Sequence, residues 1–236
     1  MAKPPANSFT VNGRVYRPPA RSVAVICLDG SADEYLDNAL ARGRMPNLQA
    51  MSARGYRGLA RGALPSFTNV NNASIVTGVP PEAHGICGNF FYNTETGEEV
   101  MMNSAGYLRC GTILAAAAQA GRKVAVVTAK EKLRDIFSAG LITQPQAPPG
   151  SGAFPAPRSG AGIAFSSEKA GQARAATHGI GQVEKLVGHP TPPIYSAEAS
   201  LYVLRAGVAL LEHGMADFLY LSTTDFVQHK YAPEAR

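Results

Sequence analysis

The sequence lacks tryptophan, has only three cysteines among its 236 residues and has few charged side chains, which make up 17% of the chain. The three cysteines, Cys27, Cys87 and Cys110, are widely spaced and form no CxxC pair. This spacing excludes a disulfide framework or a cysteine-based zinc site and favours a reducing, cytoplasmic location. No apolar run approaches the roughly 20 residues that a bilayer requires, so no membrane partner is expected.

Apolar residues make up 45% of the chain, with 24 glycines and 17 prolines. This composition excludes a disordered or coiled-coil protein and predicts a loop-rich globular one. The net charge of +5 is mild and is not concentrated in one basic run. The charge therefore suits a small anionic ligand at least as well as nucleic acid, and no nucleic-acid partner is expected.

Short apolar runs alternate with helical patterns along the chain. Ser22 to Leu28 is a continuous apolar run with β-branched residues, which predicts a strand buried on both faces. Further strands are predicted at Tyr56 to Arg61, Lys123 to Thr128, Gly162 to Phe165 and Asp217 to Ser222. The alternation predicts a single α/β domain over residues 1–236, with a mostly parallel sheet and helices on both faces. Ligands of such sheets bind beyond the carboxyl ends of the strands.

The remaining segments are predicted to form helices, two hairpins and one long loop. The helices are expected at residues 32–41, 46–54, 69–76, 108–120 and 196–213, the last with an apolar stripe of Ala197, Leu201, Leu204, Val208 and Leu211. An Asn12-Gly13 turn predicts one hairpin, and residues 93–97 another. Residues 140–160 hold five prolines and four glycines, which predicts a solvent-facing loop.

Polar residues follow the predicted strands where a ligand site is expected. Asp29 follows the first buried strand, Thr68 precedes a helix, and Asp225 follows the last strand with His229 four residues later. Asp and His one helical turn apart can both bind a zinc-like ion. Each residue also has a structural interpretation: Asp29 and Thr68 as turn or helix-capping residues, and Asp225 with His229 as a surface pair. His84 is interpreted as a residue that orders its loop by hydrogen bonding.

Several motifs in fixed order resemble the alkaline phosphatase superfamily, and within it the nucleotide pyrophosphatase/phosphodiesterase branch. They are Leu28-Asp29-Gly30, Pro46-Asn47-Leu48, Pro65-Ser66-Phe67-Thr68-Asn69 and the stretch from Thr77-Gly78 to His84-Gly85-Ile86. Within that branch three more segments resemble the phosphonoacetate hydrolases: Gly88 to Asn93, Thr128 to Leu133 and Ser222 to Pro233. The resemblance runs from about residue 22 to the last residue.

The resemblance implies an enzyme with two zinc ions and a threonine nucleophile. Asp29 would bind one zinc, Thr68 would be both its ligand and the nucleophile, and Asp225 and His229 would bind the second zinc. A threonine hydroxyl is a poor nucleophile at neutral pH unless a metal lowers its pKa. The implied reaction cleaves the carbon–phosphorus bond of phosphonoacetate to acetate and phosphate through phospho-Thr68.

The resemblance also implies substrate-binding residues. Asn89 would hold a phosphonate oxygen, and Lys130 and Lys132 would meet the anionic substrate, at its carboxylate. Without the resemblance, the two lysines can also be interpreted as solvated surface groups, and Asn89 as a turn residue after Gly88. A homodimer is compatible with the family.

Two other functions stay open. One is a phosphodiesterase or pyrophosphatase of the same superfamily, against which the two lysines argue because they suit a small carboxylated phosphonate. The other is an inactive portion that only binds anions. The family uses an Asp-His pair and a later histidine as further metal ligands, and neither follows His229 here. We therefore expect an N-terminal portion of a longer domain, with feeble activity at most, because zinc normally takes at least three protein ligands.

Overall fold

The computed structural model describes residues 8–141 and 162–235. The strands are β1 (Phe9–Val11), β2 (Arg14–Tyr16), β3 (Val23–Cys27), β4 (Phe90–Asn93), β5 (Glu98–Met101), β6 (Val124–Thr128), β7 (Gly162–Ser166) and β8 (Phe218–Ser222). The α-helices are α1 (Asp33–Ala41), α2 (Pro46–Arg54), α3 (Thr68–Thr77), α4 (Pro81–His84), α5 (Ile113–Gln119), α6 (Glu131–Phe137), α7 (Ala175–His178), α8 (Val183–Val187), α9 (Ala197–Glu212) and α10 (Phe226–Lys230).

A four-stranded sheet in the order β3-β8-β6-β7 forms the centre of the molecule. Its neighbouring strands are all parallel, which confirms the predicted α/β class. The hairpins β1-β2 and β4-β5 are separate antiparallel pairs. Both predicted hairpins are therefore confirmed, the first with Asn12 and Gly13 in the positive-φ turn that this dipeptide favours.

Helices cover both faces of the sheet because successive strand residues point to opposite sides. Leu219 and Leu221 of β8 pack in one apolar core with residues of α8 and α9. Tyr220 between them packs in a second core with residues of α3, α5 and α6. Strands β6 and β7 are buried at every position, as a strand between two helical layers requires.

The prediction that the first strand is buried on both faces is wrong, and helix α9 does not bury the apolar stripe noted in its sequence. β3 lies at an edge of the sheet and alternates between half-buried and exposed residues, with Ile26 50% exposed. Helix α9 buries Tyr202, Val203, Ala206 and Leu210 and leaves much of the predicted stripe exposed. Leu201, Val208 and Leu211 of that stripe are exposed, and Leu204 is partly buried. The sequence supplies apolar residues on two sides of this helix, and periodicity alone does not choose between them.

The predicted strand at residues 56–61 is wrong, and the predicted helix at residues 108–120 begins too early. Residues 56–61 form no strand, and Tyr56 is 94% exposed. Helix α5 begins only at Ile113, because Thr112 caps it by accepting a hydrogen bond from the Ala115 amide. Most of the predicted loop at 140–160 lies outside the described residues.

None of the helices within the described residues is long and apolar enough to span a membrane.

Candidate active site

Two aspartates come together because their strands are neighbours in register. Cys27, the last residue of β3, pairs with Ser222, the last residue of β8, so the chain segments after both strands leave the same edge of the sheet. Asp29 and Asp225 lie in these segments. Gly30 allows their close approach: a Cβ at this position would lie 3.2 Å from the Asp225 Cβ, and its φ of +70° is one that glycine adopts at low cost.

Thr68 is the first residue of helix α3 and faces Asp29. Its hydroxyl donates to the Asp29 carboxylate, with Oγ1 3.3 Å from Oδ1. Phe67 is the N-cap of α3 and makes no side-chain capping hydrogen bond, so the interpretation of Thr68 as a simple N-cap is wrong. The free backbone amides and the dipole at the start of this ten-residue helix favour an anion beside Thr68.

A buried hydrogen-bond chain supports the first turn of α3 from below. The Tyr220 hydroxyl donates to Asn72 Oδ1 at 2.6 Å, and Asn72 Nδ2 donates to the Thr68 carbonyl at 3.0 Å. Asn72 and Tyr220 are each 2% exposed. Because the Asn72 and Tyr220 side chains are hydrogen-bonded and buried, they restrict the movement of the backbone at Thr68. The sequence motifs do not single out this pair.

Asp225 and His229 make the contact that their spacing predicts. His229 Nε2 lies 2.9 Å from Asp225 Oδ2, and Asp225 is the N-cap residue of α10. His229 is the exposed partner, with 63% of its side chain accessible against 16% for Asp225. The imidazole is thus reachable from solvent, whereas the carboxylate lies inside the site.

Lys130 joins the two carboxylates. Its ammonium Nζ lies 2.8 Å from Asp225 Oδ1 and 4.0 Å from Asp29 Oδ2. All three side chains are at most 16% exposed, so the interpretation of Lys130 as a solvated surface group is wrong. The Thr128 hydroxyl donates to the Lys130 carbonyl at 2.9 Å and fixes the backbone between β6 and α6.

The charges shift the pKa values of the two aspartates in opposite directions. Burial raises the pKa of Asp29, and the negative charge of Asp225 raises it further. Burial also acts to raise the pKa of Asp225, but the hydrogen bond and positive charge of Lys130 outweigh it and lower the pKa to about 2. The same hydrogen bond raises the pKa of Lys130 against the opposing effect of burial. Lys130 is therefore a fixed positive charge at neutral pH.

No described hydrogen bond or ion pair joins the other predicted residues to this cluster. Lys132 is exposed on α6, and no described contact joins it to Asp29, Asp225 or Lys130. Asn89 is half-buried before β4, and its side-chain Oδ1 is buried without a hydrogen-bond partner among the described residues. Neither role is tested by these contacts, and both stay predictions.

His84 orders its loop. Its ring is fully buried, with Nδ1 accepting from the Ile86 amide at 3.1 Å and Nε2 2.9 Å from the Ser74 hydroxyl. Both ring nitrogens are thus engaged within the loop and helix α3, as expected for a structural histidine.

Sequence reasoning missed Tyr195. Its hydroxyl lies 3.3 Å from Lys130 Nζ and 3.4 Å from Asp225 Oδ1. The Lys130 ammonium also lies over the Tyr195 ring, 4.7 Å from its centroid. Tyr195 belongs to no motif and lies 30 residues before Asp225, so only the fold brings it to the site.

An open cavity of about 350 Å³ leads to the cluster and is lined by Asp29, Ser66, Thr68, Asn71 and Asp225, among others. Such a volume suits a small molecule, and the cluster beside it combines a hydroxyl, two carboxylates, an imidazole and an ammonium.

A family model for type I phosphodiesterase / nucleotide pyrophosphatase matches residues 23–236. The chain belongs to this family. The match begins at β3 and includes the segments that supply Asp29, Thr68, Lys130 and Asp225 to the cluster.

Individual members of the family are similar over different shares of the chain. Two crystal structures of phosphonoacetate hydrolase from Sinorhizobium meliloti, one in complex with phosphonoformate and one with phosphonoacetate, are each 47% identical, with a TM-score of 0.86 and 97% of this chain covered. An uncharacterized pyrophosphatase/phosphodiesterase of Schizosaccharomyces pombe is 39% identical over 79 residues, which are 33% of this chain and 16% of that protein. The chain spans 52% of the length of the phosphonoacetate hydrolase structures.

The donor atoms of the cluster fit the zinc chemistry that the family resemblance implies. Carboxylate oxygen, hydroxyl oxygen and imidazole nitrogen are all zinc donors. No group of three or more His, Cys, Asp or Glu side chains able to hold a metal occurs within the described residues. The residues of the cluster therefore suit zinc in kind, but the described residues do not supply a set of three such side chains for one ion.

Proposed function

We propose that this chain belongs to a metal-dependent hydrolase that cleaves the carbon–phosphorus bond of phosphonoacetate to give acetate and phosphate. The observation that carries the proposal is Thr68, whose hydroxyl stands at the N-terminus of α3, 3.3 Å from an Asp29 carboxylate oxygen, beside an open cavity. The 47% identity to phosphonoacetate hydrolase over 97% of the chain supports the choice of substrate.

In the proposed reaction the Thr68 hydroxyl gives up its proton to solvent and its oxygen attacks the phosphorus atom. The oxygen–phosphorus bond forms as the carbon–phosphorus bond breaks, and the electron pair passes to the departing CH₂ carbon. That carbon is adjacent to a carboxylate, so the pair delocalises as an enolate before a proton from solvent completes acetate. Water then attacks phospho-Thr68, which releases phosphate and restores the hydroxyl.

Residues of this chain supply positive charge where the reaction needs it. The backbone amides at the start of α3 face the phosphonate oxygens. Lys130 is assigned to the substrate carboxylate, where its fixed charge stabilises the enolate. Lys132 and Asn89 are assigned to the same substrate, Lys132 at the carboxylate and Asn89 at a phosphonate oxygen.

Asp29 with Thr68, and Asp225 with His229, are the residues proposed to hold two zinc ions. Zinc in these positions would lower the pKa of the nucleophilic hydroxyl and offset the charge of the substrate. Since a zinc site normally takes at least three protein ligands, we assign the remaining ligands to the part of such a hydrolase that lies outside this chain's 52% match. The three free cysteines support a cytoplasmic location.

A second candidate is phosphodiester or pyrophosphate hydrolysis, which the names of the family and of the Schizosaccharomyces pombe relative favour. The same nucleophile would serve this reaction. The two candidates differ in the leaving group, because only phosphonoacetate has a leaving group that presents a carboxylate to Lys130.

The test is release of inorganic phosphate from phosphonoacetate against release of nitrophenol from a nitrophenyl phosphodiester, with and without zinc. We expect zinc-dependent phosphate release from a longer protein that carries the remaining proposed zinc ligands, and feeble release at most from this chain. In the longer protein Thr68→Val should abolish the release and Thr68→Ser should partly keep it, since serine retains the hydroxyl. Full turnover by Thr68→Val would rule out the nucleophile. Turnover of the diester alone would favour the second candidate.

A further inference from the structure

Tyr195 is held by the chain on both sides. It follows Pro192-Pro193-Ile194 and directly precedes Ser196, whose hydroxyl caps α9 by accepting from the Ala199 amide at 3.1 Å. The Ser196 hydroxyl also donates to the Pro193 carbonyl at 2.8 Å, which closes the turn around Tyr195. Tyr195 has a φ of +58°, an unfavourable value for a bulky side chain. The surrounding turn must therefore stabilise this conformation.

This conformation places the ring under the Lys130 ammonium. The ammonium lies 4.7 Å from the ring centroid, and the Tyr195 hydroxyl lies 3.3 Å from the same nitrogen. The hydroxyl is also 3.4 Å from Asp225 Oδ1. Lys130 is thus held by two kinds of contact: the ring and hydroxyl of Tyr195, and the carboxylates of Asp29 and Asp225.

A bound cation would affect the two kinds of contact to Lys130 differently. Asp29 and Asp225 attract Lys130 by charge, and a divalent ion on these carboxylates would weaken that attraction. The ring attracts the ammonium through its own quadrupole, which the ion leaves in place. Once the carboxylates are occupied, Tyr195 becomes the main constraint on where the ammonium lies.

We infer that Tyr195 is a positioning residue that holds Lys130 at the site and thereby determines specificity for substrates with a second anionic group. The inference rests on the proposed function for the identity of its substrate. A phosphonate without a carboxylate has no partner for Lys130, so its binding should not depend on Tyr195.

The contact itself is tested by NMR on the protein alone. Protons above an aromatic face are shifted to lower frequency, so the Lys130 Cε protons should be shifted, with their signal identified by its loss in Lys130→Arg. Tyr195→Phe should keep the shift and Tyr195→Leu should remove it. Tyr56→Leu is the matched control, because Tyr56 is 94% exposed and should leave the signal unchanged. An unshifted signal, or a shift that survives Tyr195→Leu, would overturn the inference.

Specificity is tested by calorimetric titration with phosphonoacetate and with methylphosphonate, which lacks the carboxylate. The titrated protein is the zinc-saturated longer protein that carries the remaining proposed zinc ligands. Tyr195→Leu should weaken phosphonoacetate binding by about 3- to 30-fold, the range of a cation–π contact, and leave methylphosphonate within about twofold. Tyr195→Phe should bind both ligands nearly as the wild type does. Equal weakening of both ligands, or of neither, would contradict the assigned role.

The outcomes separate this inference from the proposed function. Wild-type protein that binds phosphonoacetate, with no selective loss in Tyr195→Leu, refutes the role of Tyr195 alone. Wild-type protein that binds neither ligand refutes the proposed substrate, and the inferred specificity fails with it even if the ring shift is observed.

Discussion

Replacing Lys130 by methionine is the perturbation that tests the electrostatics of the site most directly. The ammonium lies between Asp29 and Asp225, at 4.0 and 2.8 Å, with side chains at most 16% exposed. Methionine keeps most of the aliphatic stem and removes the charge. The two carboxylates then face each other in a poorly solvated place, which destabilises the folded state when both are ionised.

The magnitude follows from the pKa of Asp225. Its fall from 3.8 to about 2, at about 1.4 kcal/mol per pKa unit, corresponds to about 2 kcal/mol of stability at neutral pH. Solvent screening at this partly open site reduces the figure. We therefore expect Lys130→Met to lower the free energy of unfolding by about 1–2 kcal/mol at pH 7 in the presence of a chelator.

The pH dependence has a definite sign for each aspartate. The lowered pKa of Asp225 contributes stability above pH 3.8 that is lost as the pH falls towards about 2. The raised pKa of Asp29 has the opposite effect, because its contribution is present below 3.8 and is lost as the pH rises through the raised value. Without Lys130 the contribution of Asp225 disappears and that of Asp29 grows. The difference between variant and wild type should therefore shrink on acidification from pH 7 to pH 3.

Urea unfolding followed by circular dichroism at pH 7 and pH 3 measures both effects. Lys132→Met is the matched control, since Lys132 is an exposed lysine two residues away, and we expect it to stay within about 0.5 kcal/mol of the wild type. Equal stability of the two variants at pH 7, or a Lys130→Met deficit that does not shrink at pH 3, would refute the reasoning.

Two other substitutions test the supports of the site. Gly30→Ala should lower the free energy of unfolding by about 2 kcal/mol and weaken zinc binding in a titration, because φ is +70° and the new Cβ would lie 3.2 Å from the Asp225 Cβ. Gly13→Ala is the control: its φ is +75° and no atom lies within 4 Å of the new Cβ, so only the backbone cost of about 1 kcal/mol is expected. Burial lowers the pKa of His84 from 6.5, so its contribution to stability is lost as the pH falls below 6.5. The urea midpoint of His84→Gln should therefore change less between pH 7.5 and pH 5 than that of the wild type. An unchanged midpoint slope in His84→Gln would show that this histidine does not titrate on unfolding.

The sequence was sufficient to predict a mostly parallel sheet, the positions of its four strands, and the grouping of Asp29, Thr68, Asp225 and His229. Asp29 and Asp225 follow two strands whose ends the parallel arrangement brings to one edge of the sheet. Thr68 begins a predicted helix, and His229 lies one helical turn after Asp225. The role of His84 in its loop could also be predicted. These features depend on local patterns and on a general rule of topology.

Burial and lateral contacts could not be predicted in the same way. Whether β3 is central or at an edge depends on strand order, and an apolar run alone does not specify that order. Helix α9 carries apolar residues on two sides, and only packing against the sheet selects the side with Tyr202 and Leu210. Tyr195 reaches Lys130 across 65 residues of sequence, and no spacing rule connects such a pair.

The charge balance of the cluster bears on the proposed order of binding. Two partly buried carboxylates and one ammonium give the immediate site a net negative charge. An anion with both phosphonate and carboxylate groups is therefore repelled by the cluster. A divalent cation is attracted by the same carboxylates, and its binding reverses the sign of the site. Under the proposed function, metal therefore binds before substrate, and Lys130 is needed at two stages. It balances Asp225 in the folded chain, and it meets the substrate carboxylate once the metal has taken over that task.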